Sequence, residues 1–149
     1  MLEVFSKEQT PQSEWKTLQS FLSRSDVVRY NILVWAFMKL PGYVNNRAWA
    51  GLEIYSINKQ HCMELVGLLV SSEDPDDRDT ALTVVRNIND VNYFDIVKPL
   101  LYDSVPYIQL DAVELLKDVF QEEAHNALAK LLQHDELWVR ESAYEISKQ

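Results

Sequence analysis

Apolar residues recur three and four positions apart along most of the chain, and the pattern they make repeats. Three segments align without gaps at a spacing of 31 residues: LLVSSEDPDDRDTALTVV (68–85), PLLYDSVPYIQLDAVELL (99–116) and KLLQHDELWVRESAYEIS (130–147). The columns Leu69/Leu100/Leu131, Val70/Leu101/Leu132, Ala81/Ala112/Ala143 and Val84/Leu115/Ile146 fall in register. One further step back places Val34, Met38 and Ala50 at equivalent positions and aligns Arg47 with Arg78 and Arg140. That first copy is weaker, because Lys39 and Glu53 stand where the other copies are apolar. A fixed period of this length marks stacked supersecondary units.

Each period holds two helical patterns. The first, as in Met63–Ser71 or Tyr93–Tyr102, has one apolar stripe. A polar turn follows: EDPDD at 73–77, DSVP at 103–106, HDEL at 134–137. Asp or Ser there supplies an N-cap acceptor, and Pro75 and Pro106 suit the turn or the first helical position. The second helix is expected from about 77 to 88 and at its equivalents. Its positions 77, 81, 84, 85 and 88 share one side and are mostly core, with Ile88 and Val119 equivalent in the last of them. A short helical hairpin cannot bury both of its faces alone, so the copies must stack. Ser13–Arg24 reads as one amphipathic helix (Trp15, Leu18, Phe21, Leu22), a cap for the first copy. Most of the N-terminal aromatics, Tyr30, Trp35 and Phe37 among them, fit helical periodicity as core. PGYVNN at 41–46 is an internal loop too short to separate domains. The 149 residues, with only 3 Gly, therefore form one domain. It divides into a cap (1–27) and copies at 28–58, 59–89, 90–120 and 121–149.

The residues that recur are an LL pair ending the first helix, an acidic turn with proline, an arginine early in the second helix (Arg78, Arg140) and an alanine three residues later. In these the chain resembles HEAT repeats of the short bacterial kind, closely over 59–149 and loosely over 28–58. The resemblance implies an all-α fold, a right-handed α-solenoid of about four hairpins plus an N-terminal capping helix, with the second helices lining its concave side. Two departures speak against a regular polar ladder between repeats. Gln109 replaces the arginine of the third copy, and the acidic residue that pairs with it shifts by one position between copies.

Charge narrows the function. Residues 1–72 hold 7 Lys/Arg against 6 Asp/Glu, and residues 73–149 hold 7 against 17, so the net charge of −9 resides in the second half. Such a surface repels phosphate backbones and anionic headgroups, which argues against nucleic-acid and membrane partners. It attracts a basic protein. Some HEAT-like proteins are DNA glycosylases or phycobilin lyases; the first need a basic groove, and nothing marks a tetrapyrrole pocket for the second. His61, His125 and His134 form no metal-ligand spacing, and His134-Asp135 reads as a capping pair. Cys62 reads as a packing residue, and no nucleophile–base constellation or glycine-rich phosphate loop is present. No catalytic residue, metal or cofactor is expected. The start MLEVFSKEQTPQSEW lacks a signal-peptide pattern, the longest apolar stretch is Ile32–Met38, and the single cysteine suits a reducing compartment, so a cytoplasmic protein is expected.

Positions 76, 79, 80, 83, 86 and 87 and their equivalents lie on the second helices opposite the core stripe. They read Asp76, Asp79, Thr80, Thr83, Arg86, Asn87; then Tyr107, Leu110, Asp111, Glu114, Lys117, Asp118; then Trp138, Glu141, Ser142, Glu145, Lys148. The first copy contributes Trp49, Leu52 and Tyr55. Acids dominate, and Tyr107 and Trp138 are register-equivalent aromatics. Aromatics among carboxylates suit a hot spot for a Lys/Arg-rich partner, so Asp76, Asp79, Tyr107, Asp111, Glu114, Trp138, Glu141 and Glu145 are the candidate partner-binding residues. The plain alternative is a solvated acidic face whose aromatics fold back onto the turns. By size, charge and fold the chain looks like immunity proteins of bacterial toxin systems, which implies stoichiometric inhibition of a basic toxin. A generic HEAT adaptor is the alternative, and a HEAT-fold enzyme comes third.

Overall fold

The computed structural model describes Lys16 and residues 26–149. Among the described residues are eight α-helices and no strand: α1 Asp26–Lys39, α2 Val44–Ile57, α3 Lys59–Val70, α4 Pro75–Ile88, α5 Phe94–Val97, α6 Pro106–Leu116, α7 Gln121–Leu131 and α8 Leu137–Ser147. The all-α class read from the sequence holds for these residues. The capping helix expected over Ser13–Arg24 lies outside the described residues, Lys16 excepted.

Local chemistry explains most boundaries. The Asn58 side chain accepts the His61 backbone N–H at 3.0 Å at the start of α3. Asp74 does the same for Asp76 at 2.9 Å, with Pro75 in the first turn of α4. Asn89 ends α4 in the left-handed conformation (φ 51°), as a short polar residue can. Two expectations need correction. The PGYVNN loop is shorter than 41–46, because α2 already begins at Val44. The first helix of the third copy is not continuous over 93–102. It is a 3-10 turn (Val91–Tyr93), the single turn of α5, and a second 3-10 turn over Lys98–Tyr102. Pro99 is the cause: it has no N–H to donate and its ring collides with a carbonyl one turn back.

The helices form two layers. In one, α2, α4, α6 and α8 touch in succession; in the other lie α1, α3, the α5 segment and α7, each against its own second helix. The core runs between the layers, with Phe37, Leu33, Leu69, Leu82, Leu101, Leu116 and Leu131 almost wholly buried. Ala50, Ala81, Ala112 and Ala143, the register-equivalent alanines of these second helices, are all 0% exposed. Gly51 goes further: a methyl there would stand 2.6 Å from Val84 Cγ2 and 2.7 Å from the Phe37 ring. Not every expected core position is covered. Val119 is 49% exposed, because α6 stops at Leu116 and carries Val119 past the core. Ser147 is exposed as well.

Polar staples tie each hairpin together. Buried Arg47 donates to the carbonyls of Phe37 (3.0 Å) and Met38 (3.1 Å) at the end of α1, and to the Asp77 carboxylate at 2.6 Å in α4. Arg78 donates to the carbonyls of Ser72 and Glu73 and, through two nitrogens, to Asp103 at 2.6 and 3.1 Å. Both arginines thus cap their own turn and also reach the next copy. The ladder that the sequence argued against is present in these two rungs, because Asp77 and Asp103 reach the same place from different positions. The third rung is absent: Gln109 donates only to its own turn, at Leu101 O (2.8 Å). Arg140 likewise caps its own turn, at His134 and Asp135. Burial pushes the Asp77 carboxyl upward, but hydrogen bonds from Ser72 and Arg47 and the Arg47 charge outweigh it and hold the group below its usual range.

Two variants test this packing. Ala112→Leu forces three extra carbons into a closed helix contact and is expected to destabilise by roughly 1–3 kcal/mol. A denaturant midpoint equal to that of the parent would remove the alanine contact from the account. Arg47→Met strands carbonyls and a carboxylate, at a cost of about 3 kcal/mol at neutral pH. A depressed carboxylate stabilises above its unfolded pKa and loses that contribution as pH falls through its folded value. The gap between Arg47→Met and the parent should therefore narrow below about pH 4, read as melting temperature against pH. A gap that stays constant with pH would show that Asp77 takes no part.

Candidate partner-binding face

The side of α4, α6 and α8 turned away from the first-helix layer carries the predicted residues. N-capping by Asp74 starts α4 early enough to put Asp76 and Asp79 in its first turns, and Pro106 does the same for Tyr107 and Asp111 in α6. Tyr107 and Trp138 are 40% and 45% exposed. Asp76, Glu114, Glu141 and Glu145 are exposed, while Asp79 and Asp111 are half-buried.

The electrostatics join five of these residues into one patch. Burial raises the Asp79 carboxyl above its usual range, and the Asp111 and Asp76 charges raise it further against the Arg86 guanidinium. Burial also raises Asp111, where Arg86 pulls down and Glu114 pushes up. The Tyr107 hydroxyl is raised by burial and by the charges of Asp79 and Asp76. Arg86 is the counter-ion, 3.8 Å from the Asp111 carboxylate and donating to the Asp111 carbonyl at 3.5 Å. Its role was not legible beforehand, because Arg86 and Asp111 belong to different copies at non-equivalent positions.

On α8 the predicted residues are more self-engaged. The Trp138 indole N–H donates to the Glu136 carboxylate, which folds the ring back over its own turn. Glu145 pairs with Lys148 at 3.0 Å, and Lys148 also lies over the Tyr144 ring at 4.1 Å. Glu141 sits exposed between them. Three positions placed on this face by the wheel need correction. Thr80 is fully buried and donates to the Asp76 carbonyl at 2.7 Å, and Leu110 is 5% exposed. Both are covered because neighbouring second helices approach closely and widen the buried arc beyond one stripe. Tyr55, half-buried at the far end of α2, donates to Asp90 at 3.1 Å and stands edge-on to Tyr93, away from the patch.

His61, His134 and Cys62 have structural partners, while His125 is exposed. His61 Nδ1 bonds to the Tyr30 hydroxyl, and His134 Nδ1 accepts the Glu136 backbone N–H at 3.1 Å. Cys62 is fully buried against the Gly51 carbonyl, and burial pushes its thiol up to about 11, the opposite of an activated nucleophile. No group of three or more His, Cys, Asp or Glu among the described residues could hold a metal ion. Among the same residues no helix is long and apolar enough to cross a membrane. No family model, curated protein or solved structure matches the chain.

Carboxylates whose folded pKa is raised oppose folding at neutral pH and cease to do so as pH falls through the raised value. Asp79→Asn should therefore stabilise the fold at pH 7 by on the order of 0.5 kcal/mol, read as a raised melting temperature, with the advantage fading on acidification. A lowered melting temperature at pH 7 would mean that Asp79 is a structural residue and not a strained surface charge.

Proposed function

We propose that the chain is a HEAT-like repeat protein, a right-handed α-solenoid of about four 31-residue hairpins with an N-terminal cap, that binds a basic protein on its concave side. The buried alanine column and the arginine staples at equivalent positions support the repeat architecture. The observation that carries the binding reading is the Asp76/Asp79/Tyr107/Asp111/Glu114 patch. Two of its carboxylates are half-buried beside one another with one arginine between them, an arrangement unfavourable to the isolated fold. A guanidinium or ammonium group from a partner relieves it, and the exposed Tyr107 ring offers that cation a face. The acidity of residues 73–149 and the absence of a metal-holding cluster among the described residues fit a stoichiometric inhibitor best. The function proposed is therefore that of an immunity-type protein neutralising a basic toxin, without catalysis, in a reducing compartment such as the cytoplasm.

The face divides into two kinds of contribution. Exposed carboxylates such as Glu114 and Glu145 act over distances up to a Debye length, about 8–10 Å at moderate salt, and so govern encounter. Aromatics covered by the partner govern dissociation. With a partner recovered by pull-down, Glu114→Gln/Glu145→Gln is expected to slow association and flatten its salt dependence. Trp138→Ala should instead speed dissociation, at a cost of roughly 2–4 kcal/mol. Rates unchanged in both folded variants would eliminate this face.

A further inference from the structure

The second helices carry Arg47, Arg78, Arg86 and Arg140, and Arg86 is held differently from the rest. The other three donate to carbonyls of their own turns, and Arg47 and Arg78 add a carboxylate at 2.6 Å while almost fully buried. Arg86 reaches across to α6 instead. Its Nη2 stands 3.8 Å from the Asp111 carboxylate and 3.5 Å from the Asp111 carbonyl, with the two side chains 40% and 39% exposed. A firm charge-assisted hydrogen bond measures about 2.7–2.9 Å, so this guanidinium is in place without being locked. The charges acting on the spot come from both helices: Asp76 and Asp79 on α4, Asp111 and Glu114 on α6. The Thr83 hydroxyl holds the Asp79 carboxylate from within α4.

As a link between copies this contact adds little. A pair so exposed contributes weakly to stability, and the buried Arg78–Asp103 pair already joins the same two copies. What Arg86 does supply is the one positive charge acting on both half-buried carboxylates, Asp79 and Asp111. The repeat register sharpens the point. Lys117 and Lys148 occupy the equivalent positions, and they donate to the Gln149 side chain at 2.8 Å and to Glu145 at 3.0 Å. A cation recurs at this position, but in the α4 copy it is a guanidinium and it faces the carboxylates of the patch. A planar fork suits that set of acceptors, a carboxylate and a backbone carbonyl on one residue with a second carboxylate beside them, better than a point ammonium does.

We propose, resting on the reading of the α4/α6 patch as the partner's site, that Arg86 is a resident stand-in for an arginine of that partner. The incoming guanidinium takes its place beside Asp79 and Asp111, and Arg86 turns out into solvent. Arg86 thus steadies the patch in the free chain and competes with the partner, so its removal has effects of opposite sign on folding and on binding. The probe is a short poly-arginine peptide, compared with poly-lysine of the same length. Titrated into isotope-labelled protein, it should shift amide resonances of 76–86 and 107–114 and move the Arg86 Nε–H resonance to that of an unpaired side chain. Arg86→Gln should lower the melting temperature at neutral pH yet tighten poly-arginine binding about threefold or more. Lys117→Gln removes the same charge one copy further on and should tighten it less. Poly-lysine should bind the parent more weakly than poly-arginine does. Peptide that binds the patch but gains nothing from Arg86→Gln, an Arg86 resonance unmoved at saturation, an equal gain from Lys117→Gln, or equal binding of the two peptides would each overturn this proposal and leave the patch itself standing. Absence of shifts at 76–86 and 107–114 in both the parent and Arg86→Gln would overturn the patch reading together with it.

Discussion

The close approach of α2, α4, α6 and α8 sets the terms for everything else in this molecule. Helices normally pack 8–10 Å apart according to the side chains at the crossing, and small residues bring them to the near end of that range. Ala50, Ala81, Ala112 and Ala143 are wholly buried, and at Gly51 on α2 there is no room even for a methyl group against Val84 of α4. That proximity widens the buried arc of each second helix, which is why Thr80 and Leu110 are inside. It also brings carboxylates on successive helices near enough to raise one another's protonation, as Asp111 does for Asp79.

Tight stacking leaves the ends of the first helices with carbonyls that water cannot easily reach. The side chain one turn into each second helix meets that need: arginine in three copies, glutamine in the third. Where the arginine also finds a carboxylate of the next copy, one planar group caps a helix end and joins two copies. Asp77 and Asp103 serve this purpose from different positions, so the geometry of the contact is kept although its sequence spacing is not. Toward the C-terminus the links thin out. The last two hairpins meet without an arginine rung, joined instead by the Lys98–Glu123 ion pair at 2.6 Å and by Lys117 donating to the Gln149 side chain at 2.8 Å.

The α4/α6 patch departs from a relaxed surface. Charge is retained there where burial disfavours it. Residues that work against the stability or solubility of the isolated chain are where a partner is to be sought.

From the sequence alone one could read the helical class, the 31-residue register, the buried alanines and the acid-rich second half, because each depends on residue identity and periodicity along one helix. The outward placement of Tyr107, Trp138, Glu114, Glu141 and Glu145 was legible for the same reason. The break at Pro99 was readable in principle, since proline acts locally, but apolar spacing alone favoured a continuous helix. Only the tertiary structure decided the burial of Thr80 and Leu110, the exposure of Val119, the pairing of Arg47 with Asp77 and of Arg78 with Asp103, and the place of Arg86 between Asp79 and Asp111. The physical reason is common to all of them. A helical wheel gives the direction of a side chain from its own axis, whereas burial and ion pairing depend on the distance and rotation of the neighbouring axis. Those are set by the small residues at the crossings acting together across separate copies.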